Sequence, residues 1–442
     1  MRLSICIYAL LAAFSSCSSA AGVNKSSNTP TLELSTDSAF NFQYLIALGD
    51  AITGGSDIAP VLGAAKNIKP GDMDSFSEQF YKLANRTKEM AENPENAYDP
   101  VNVRDTWFSA AQYFRRADIY LHGNWSNPLI NYLWTEQTAA FDKALASLPV
   151  PGQRVRIPAK NGNFTIEAIW YSATDSSSHQ RPTLIIGNGF DAAQEDSYHY
   201  FVAAALVRGW NCITYEGPGQ PTVRRDQNIG FVPDWEDVVV PVVDHVLSQK
   251  SQIVDKRRLV LIGNSFGGYL AARAAAFEPR LSAVVLIDGV WDLYAGFSRQ
   301  IPSNVIAMYE AGNYTEFDKE LLSLRKADKL PTNTAWGLDQ GLWSFRTRSP
   351  SDFFNQTKQY RLGDVVERIN MPVFVGDAEF ENIFQGQPQQ VADAVGDKAT
   401  WYRFNGTAGY HCQTGAGQEM TRTIFAWMNK TLGAVNNHNL ER

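Results

Sequence analysis

The sequence predicts an α/β protein built on a mostly parallel central sheet, and two observations predict it. From about residue 154 short apolar runs alternate with helix-patterned segments, the signature of βαβ units. Several of these runs are continuously apolar rather than alternating, as strands covered on both faces are. The expected strands are Thr165–Tyr171, Thr183–Gly187, Cys212–Tyr215, Leu259–Gly263, Ala283–Ile287, Pro372–Val375 and Thr400–Phe404. Between and after them the pattern predicts helices over Ser197–Arg208, Trp235–Gln249, Tyr269–Phe277, Gln389–Val395 and about Glu419–Thr431.

Two stretches depart from this alternation. Residues 70–150 carry helical stripes: Phe76, Phe80 and Leu83, then Val103, Trp107, Ala111 and Phe114, then Ile130, Trp134, Phe141, Leu145 and Leu148. Residues 292–360 hold no convincing strand but many aromatics, which predicts a helical insertion above the carboxyl edge of the sheet, where ligands bind in open α/β folds. The chain thus divides into a signal segment (1–20), an N-terminal helical lid region (21–150), a first core part (151–291), a helical lid insertion (292–360) and a second core part (361–442). Tyr294, Trp336 and Trp343 are the candidate substrate-pocket residues, although an aromatic stripe is more often plain core.

The amino terminus reads as a secretory signal. Arg2 supplies a positive start, Leu3–Phe14 is apolar but too short to span a bilayer, and Ser18-Ser19-Ala20 offers a small-residue cleavage site. Sequons at Asn24, Asn85, Asn124, Asn163, Asn313, Asn355, Asn405 and Asn429 suit the same compartment. The expected location is therefore secreted or within the secretory pathway. No later stretch is long and apolar enough for a membrane span. Net charge is -7 without a basic run, which argues against nucleic acid and leaves a small-molecule substrate as the expected partner. Outside the signal only Cys212 and Cys412 remain, as one bridge or two free thiols. No cofactor fingerprint and no Cys/His cluster occurs, so neither cofactor nor metal is expected.

The strongest motif is Gly263-Asn264-Ser265-Phe266-Gly267-Gly268, a G-x-S-x-G between a buried strand and an alanine-rich helix. A serine on such a sharp turn adopts a strained backbone, and glycines clear the space around it. The turn aims the helix amino end and the Phe266 N–H at developing oxyanion charge. Phe190, in the loop Asn188-Gly189-Phe190-Asp191 after the second strand, is the candidate second donor; an ordinary strand-end turn is an equal reading of that loop. A serine hydroxyl needs a base. Only His411 and His438 follow Ser265; His438 sits in a polar tail, whereas His411 lies in a loop between the last strand and the last helix.

At these residues the chain resembles the fungal α/β-hydrolases of secondary-metabolite clusters, the group that includes the fusarin-pathway hydrolase. It is also similar to the yellowish-green-pigment polyketide-shortening hydrolase and to 2,6-dihydroxypseudooxynicotine hydrolase. Carriers of the resemblance are Gly189-Phe190-Asp191, Tyr215-Glu216-Gly217-Pro218-Gly219-Gln220, Gly263–Gly268, Asp377-Ala378-Glu379, Gly386-Gln387-Pro388 and His411-Cys412-Gln413. The resemblance implies an α/β-hydrolase fold, a Ser-acid-His triad, an N-terminal helical lid, and cleavage of carbon–carbon bonds beside ketones or hydrolase-like ring formation on polyketides. The signal segment departs from members that work in the cytosol. In this fold the acid follows the strand at 372–375. Glu381 fits best because the apolar pair Ile383 and Phe384 follows it. Asp377 is the alternative, and Glu379 is a solvated or pocket side chain. Relatives commonly carry Asp at this place, so Glu381 is a departure.

Two other classes compete. A general secreted esterase or peptidase would turn over simple p-nitrophenyl esters well. A non-catalytic binding protein on the same fold would not react with a serine-directed probe.

Overall fold

A computed structural model describes residues 29–433, and residues from Glu33 onward form one compact unit. The signal segment, Cys6, Cys17, Asn24 and His438 lie outside the described residues. Five helices precede the sheet: α1 (Ser38–Asp50), α2 (Ile58–Asn67), α3 (Met73–Glu92), α4 (Pro100–Asp118) and α5 (Leu129–Ala146). The first two were not expected. Helix α1 is apolar nearly all round and shows no single stripe, and α2 contains Pro60 and Gly63, which read as breakers. Asp37 starts α1 by accepting the Phe40 N–H at 3.0 Å. Phe40, Tyr44 and Ala47 then pack with Phe76, Phe80 and Phe114 in a separate aromatic core.

The sheet has eight strands: β1 (Gln153–Pro158), β2 (Thr165–Tyr171), β3 (Arg181–Gly187), β4 (Asn211–Glu216), β5 (Val254–Asn264), β6 (Ala283–Ile287), β7 (Val373–Ala378) and β8 (Ala399–Phe404). Their order is β1-β2-β4-β3-β5-β6-β7-β8, antiparallel at β1/β2 and β2/β4 and parallel elsewhere. The seven expected strands are present, and β1 is an addition. It is a largely exposed edge strand with arginines at alternate positions, so its inward Val155 and Ile157 make too short an apolar signal.

The remaining helices are α6 (Ala203–Leu206), α7 (Pro221–Gln227), α8 (Glu236–Gln249), α9 (Gly267–Ala275), α10 (Leu293–Ser298), α11 (Ser303–Glu310), α12 (Tyr314–Lys326), α13 (Thr332–Ser344), α14 (Pro350–Thr357), α15 (Gln387–Val395) and α16 (Gly417–Leu432). The expected helix at 197–208 is instead a wide turn over Tyr198–Val202 that leads into the short α6. Helices α10–α14 occupy the aromatic interval between β6 and β7. Val242, Leu270 and Val391 pack on one face of the sheet, and Phe108, Phe141 and Ile424 on the other. Because β3, β5, β6 and β7 run parallel, their carboxyl ends open on one edge, and every element of the site described next leaves the sheet there.

Candidate active site

Strand β5 delivers Ser265 at φ +60, the left-handed backbone expected of a strained elbow. Three glycines make the turn possible. A Cβ on Gly263 would fall 2.0 Å from the Gly267 carbonyl oxygen, one on Gly267 2.9 Å from the Asn188 oxygen, and one on Gly268 1.8 Å from the Asp288 oxygen. The Ser265 N–H donates to the Ile287 carbonyl, and the Gly268 N–H returns to the Ser265 carbonyl at 2.8 Å.

Gly189 brings the β3 loop against this elbow, since its Cβ would meet the Phe266 nitrogen at 2.6 Å. The Phe190 and Phe266 amides donate to no acceptor among the described residues. The loop is held from two sides. Gln220 donates through Nε2 to the Asn188 carbonyl at 2.6 Å and the Gly189 carbonyl at 3.2 Å, while its Oε1 accepts the Gly217 N–H at 2.9 Å. From α4, the buried Arg115 donates to the Asp191 carbonyl at 2.8 Å and pairs with Asp191 and Asp196. The sequence motif ending in Gln220 is thus a brace for the Gly189 loop.

His411 lies between β8 and α16. Its Nε2 is 2.9 Å from Ser265 Oγ, and its Nδ1 is 2.5 Å from Glu381 Oε2. The other Glu381 oxygen accepts the Ile383 and Phe384 N–H groups at 2.8 and 2.9 Å. The pair that marked this position in the sequence therefore orients the carboxylate with its own backbone. Asp377 makes no hydrogen bond or ion pair with His411. It is the penultimate residue of β7 and accepts the Ala378 N–H at 2.9 Å, whereas Glu379 accepts the Gly406 N–H at 2.7 Å and braces the histidine loop.

Sequence reasoning missed Asp288. It follows β6 directly, is completely buried, and sets Oδ2 2.9 Å from the same His411 Nδ1. The Cys412 N–H points to that oxygen at 3.3 Å. The only signal was an acid at the carboxyl end of a core strand, in Ile287-Asp288-Gly289. Gln387 fixes the chain just beyond: its side chain accepts from Trp291 and Asp292 N–H and donates to the Asp292 carbonyl. Phe42 of α1 was missed as well, and its ring stands 6.4 Å from that of His411.

Burial pushes Asp288 up to about 7, against the hydrogen bond to His411 and with the help of the neighbouring Glu381 charge. Burial acts the same way on Glu381, but His411 and the backbone donors win and hold it well below the usual carboxylate range. For His411, burial opposes the charged form, and Cys412, Glu381 and Asp288 outweigh it, so its pKa stands above the ordinary 6.5. Burial raises the Cys412 thiol to about 11, which leaves it neutral near pH 7 and assigns the pull on His411 to the two carboxyls. Asp288, His411 and Cys412 also cluster as metal ligands do. The protonated thiol and the fully engaged imidazole make them a poor metal site.

The three aromatic candidates separate. Trp336 packs its ring edge-on to Phe190 at 6.1 Å and donates Nε1 to the Ile119 carbonyl. Trp343 is enclosed, stacked on His122 at 4.2 Å with the Arg224 and Arg225 guanidinium groups over its ring. Tyr294 packs with Tyr309 and Phe354 in the helical insertion. Cys212, buried in β4, and Cys412, beside Asp288, are free thiols, which decides the bridge-or-thiol question.

A sequence profile of the alpha/beta hydrolase family matches residues 184–412. Several curated relatives align over nearly their whole length. The chain is 29% identical over 408 residues to the hydrolase LUC6 of a Fusarium species, covering 89% of this chain and 96% of that one. It is 27% identical over 413 residues to the 20-hydroxy-prefusarin hydrolase of Gibberella moniliformis, with 89% and 96% covered. Among solved structures, 2,6-dihydroxy-pseudo-oxynicotine hydrolase superposes with a TM-score of 0.67 at 18% identity, over 87% of this chain and 95% of that one.

Proposed function

This chain belongs to the alpha/beta hydrolase family, and from that premise we propose that it is a serine hydrolase acting on a carbonyl of a polyketide-type secondary metabolite. The observation that carries the reading is the 2.9 Å contact from His411 Nε2 to Ser265 Oγ, with a carboxylate on the opposite ring nitrogen. His411 takes the serine proton as Oγ attacks the substrate carbonyl. The developing oxyanion receives the Phe190 and Phe266 N–H groups. The tetrahedral adduct collapses, and His411 returns the proton to the leaving group. In an ester that group is an alkoxide; beside a ketone it is an enolate carbon. Water then attacks the acyl-enzyme by the same route and frees Ser265. The name of the 20-hydroxy-prefusarin hydrolase supports the substrate class. A fluorophosphonate probe followed by peptide mapping tests the mechanism: the adduct belongs on Ser265, and an unlabelled protein overturns the reading.

From the signal-like start and the sequons we further propose that the enzyme enters the secretory pathway, with the mature chain starting near Ala21 and carrying N-linked glycans. Asn124, Asn163, Asn313, Asn355, Asn405 and Asn429 are exposed, as acceptor sites must be. Intact-mass measurement on protein from a eukaryotic host tests this, and an unprocessed, unglycosylated chain overturns it.

A further inference from the structure

Two carboxyl groups, not one, reach the same nitrogen of His411. Glu381 Oε2 stands 2.5 Å and Asp288 Oδ2 2.9 Å from Nδ1. They arrive from different strands, Asp288 from the end of β6 and Glu381 from the loop after β7, so neither is an incidental neighbour of the other in the chain. Both are buried, Glu381 at 5% exposure and Asp288 at 0%. Each is separately braced: Glu381 by the Ile383 and Phe384 amides, and Asp288 by the Cys412 amide at 3.3 Å and the Gln413 side chain at 3.5 Å. Cys412 and Gln413 sit at φ +54 and +51, so the backbone after His411 is bent into a disfavoured conformation that turns the Cys412 N–H and the Gln413 side chain toward Asp288.

We propose that Asp288 is a second, positioning acid of the catalytic relay, able to hold the His411 Nδ1–H in place of Glu381. The inference rests on the reading of Ser265 and His411 given above. Like charges this close in a buried site do not both persist, so the pair carries one negative charge and one shared proton. His411 and the backbone donors keep the charge on Glu381, and Asp288 keeps the proton; its raised pKa and the depressed one of Glu381 agree with that division. If Glu381 loses its charge, the repulsion that adds to burial in keeping Asp288 protonated disappears, and the hydrogen bond to the His411 Nδ1–H favours the ionised carboxylate. Asp288 then ionises, its proton passes to solvent, and its Oδ2 accepts the Nδ1–H that Glu381 held. Histidine orientation and tautomer survive, and so does proton transfer at Nε2. The other groups around Asp288 do not compete for this role. Cys412 is a neutral thiol that donates to the Ile287 carbonyl, and Gln413 carries no charge.

The test is a double-mutant cycle read by the rate at which an alkyl fluorophosphonate labels Ser265, with kcat and KM on a p-nitrophenyl ester beside it. E381Q and D288N are each expected to slow labelling by less than about tenfold, and the double variant by about 10⁴-fold, the loss seen when a triad acid is neutralised in place. KM should stay level throughout, since neither group touches substrate. The downfield proton resonance of the His411 Nδ1–H gives an independent signature: it should persist in both single variants and vanish in the double. E381Q leaves Asp288 untouched and so remains informative if D288N does not fold. Labelling of E381Q as slow as that of H411A overturns the proposal, as does a double variant no slower than E381Q. Labelling of S265A at the wild-type rate is a different result; it would refute the serine mechanism itself.

Discussion

The Gln220 side-chain amide donates at 2.6 Å to the carbonyl of Asn188, two residues before the Phe190 amide proposed to bind the oxyanion. Gln220 is fully buried and also accepts the Gly217 N–H, so its amide has one orientation only. Gln220→Glu keeps the shape, removes the two donors and sets carboxylate oxygens against two carbonyls. The Phe190 amide then loses its fixed position. We expect kcat on a simple ester to fall about 10²-fold, the scale of losing one oxyanion donor, with KM changed far less. Steady-state kinetics of the variant checks this, and an unchanged kcat would show that the loop holds itself.

Ser265→Ala should abolish turnover and leave the fold intact. Alanine bears the same Cβ at φ +60 as serine does, so the elbow is no more strained than before. The expected loss of rate is about 10⁴- to 10⁶-fold. A melting curve that overlays the wild type, together with retained activity above a tenth, would remove Ser265 from the mechanism.

Asp377→Asn should leave activity within about twofold of wild type, because Asp377, although buried, makes no contact with the reacting groups, and asparagine keeps its shape and an oxygen for the Ala378 N–H. Its carboxylate answers the Ala378 amide and does not touch His411. A collapse of kcat in this variant would restore Asp377 as the triad acid.

The sequence was legible where a local chemical pattern coincided with a structural need. Ser265 stood out because three glycines within six residues, Gly263, Gly267 and Gly268, clear the elbow. Glu381 stood out among three acids because the chain must turn back at Ile383 and Phe384, and their amides are what orient it. Asp288 left no such mark. Its proposed role rests on a contact across 123 positions to His411, which no periodicity encodes. Helix α1 was missed for a related reason. It packs Phe40 and Tyr44 into one core and sets Phe42 beside His411, so it is apolar on both sides and lacks the one-sided stripe that identifies a surface helix.

The raised pKa of His411 fixes the direction of the pH response. Only neutral imidazole can take the Ser265 proton, so kcat/KM falls as pH drops through the His411 value. Burial alone would move that value down, and the Glu381 charge together with the hydrogen bond to Asp288 carries it above 6.5. The acid limb of the profile is therefore expected above 6.5. Stability runs the opposite way. His411 and Asp288 both bind a proton more tightly folded than unfolded, so the stability they confer is present at low pH and fades as pH rises through their folded values. A profile measured with a p-nitrophenyl ester whose acid limb falls below 6.5 would contradict this account.

Trp336 and Trp343 lie seven residues apart in α13 and should answer substitution in opposite ways. Trp343 is buried at 4% exposure, stacked on His122 and covered by Arg224 and Arg225, whose cations lie 5.1 and 4.8 Å from its ring. Arg224 also donates to the Trp343 carbonyl at 2.6 Å. Removing this indole leaves a cavity and takes one of two aromatic faces from each cation, since Arg224 also lies over Trp125 and Arg225 over Trp134, so Trp343→Ala should cost about 3–5 kcal/mol of stability. Trp336 is only partly buried and meets the edge of Phe190, whose amide is the proposed oxyanion donor. Its truncation removes packing beside the reacting carbonyl rather than from the core. Trp336→Ala should therefore change the ratio of kcat/KM between small and bulky esters by about tenfold, the reach of a few methylenes in a pocket, with a smaller drop in melting temperature. Thermal melts and paired-ester kinetics on the two variants check both halves. If Trp336→Ala destabilises as strongly as Trp343→Ala and leaves the ester ratio unchanged, Trp336 is core and the pocket wall lies elsewhere in the helical insertion.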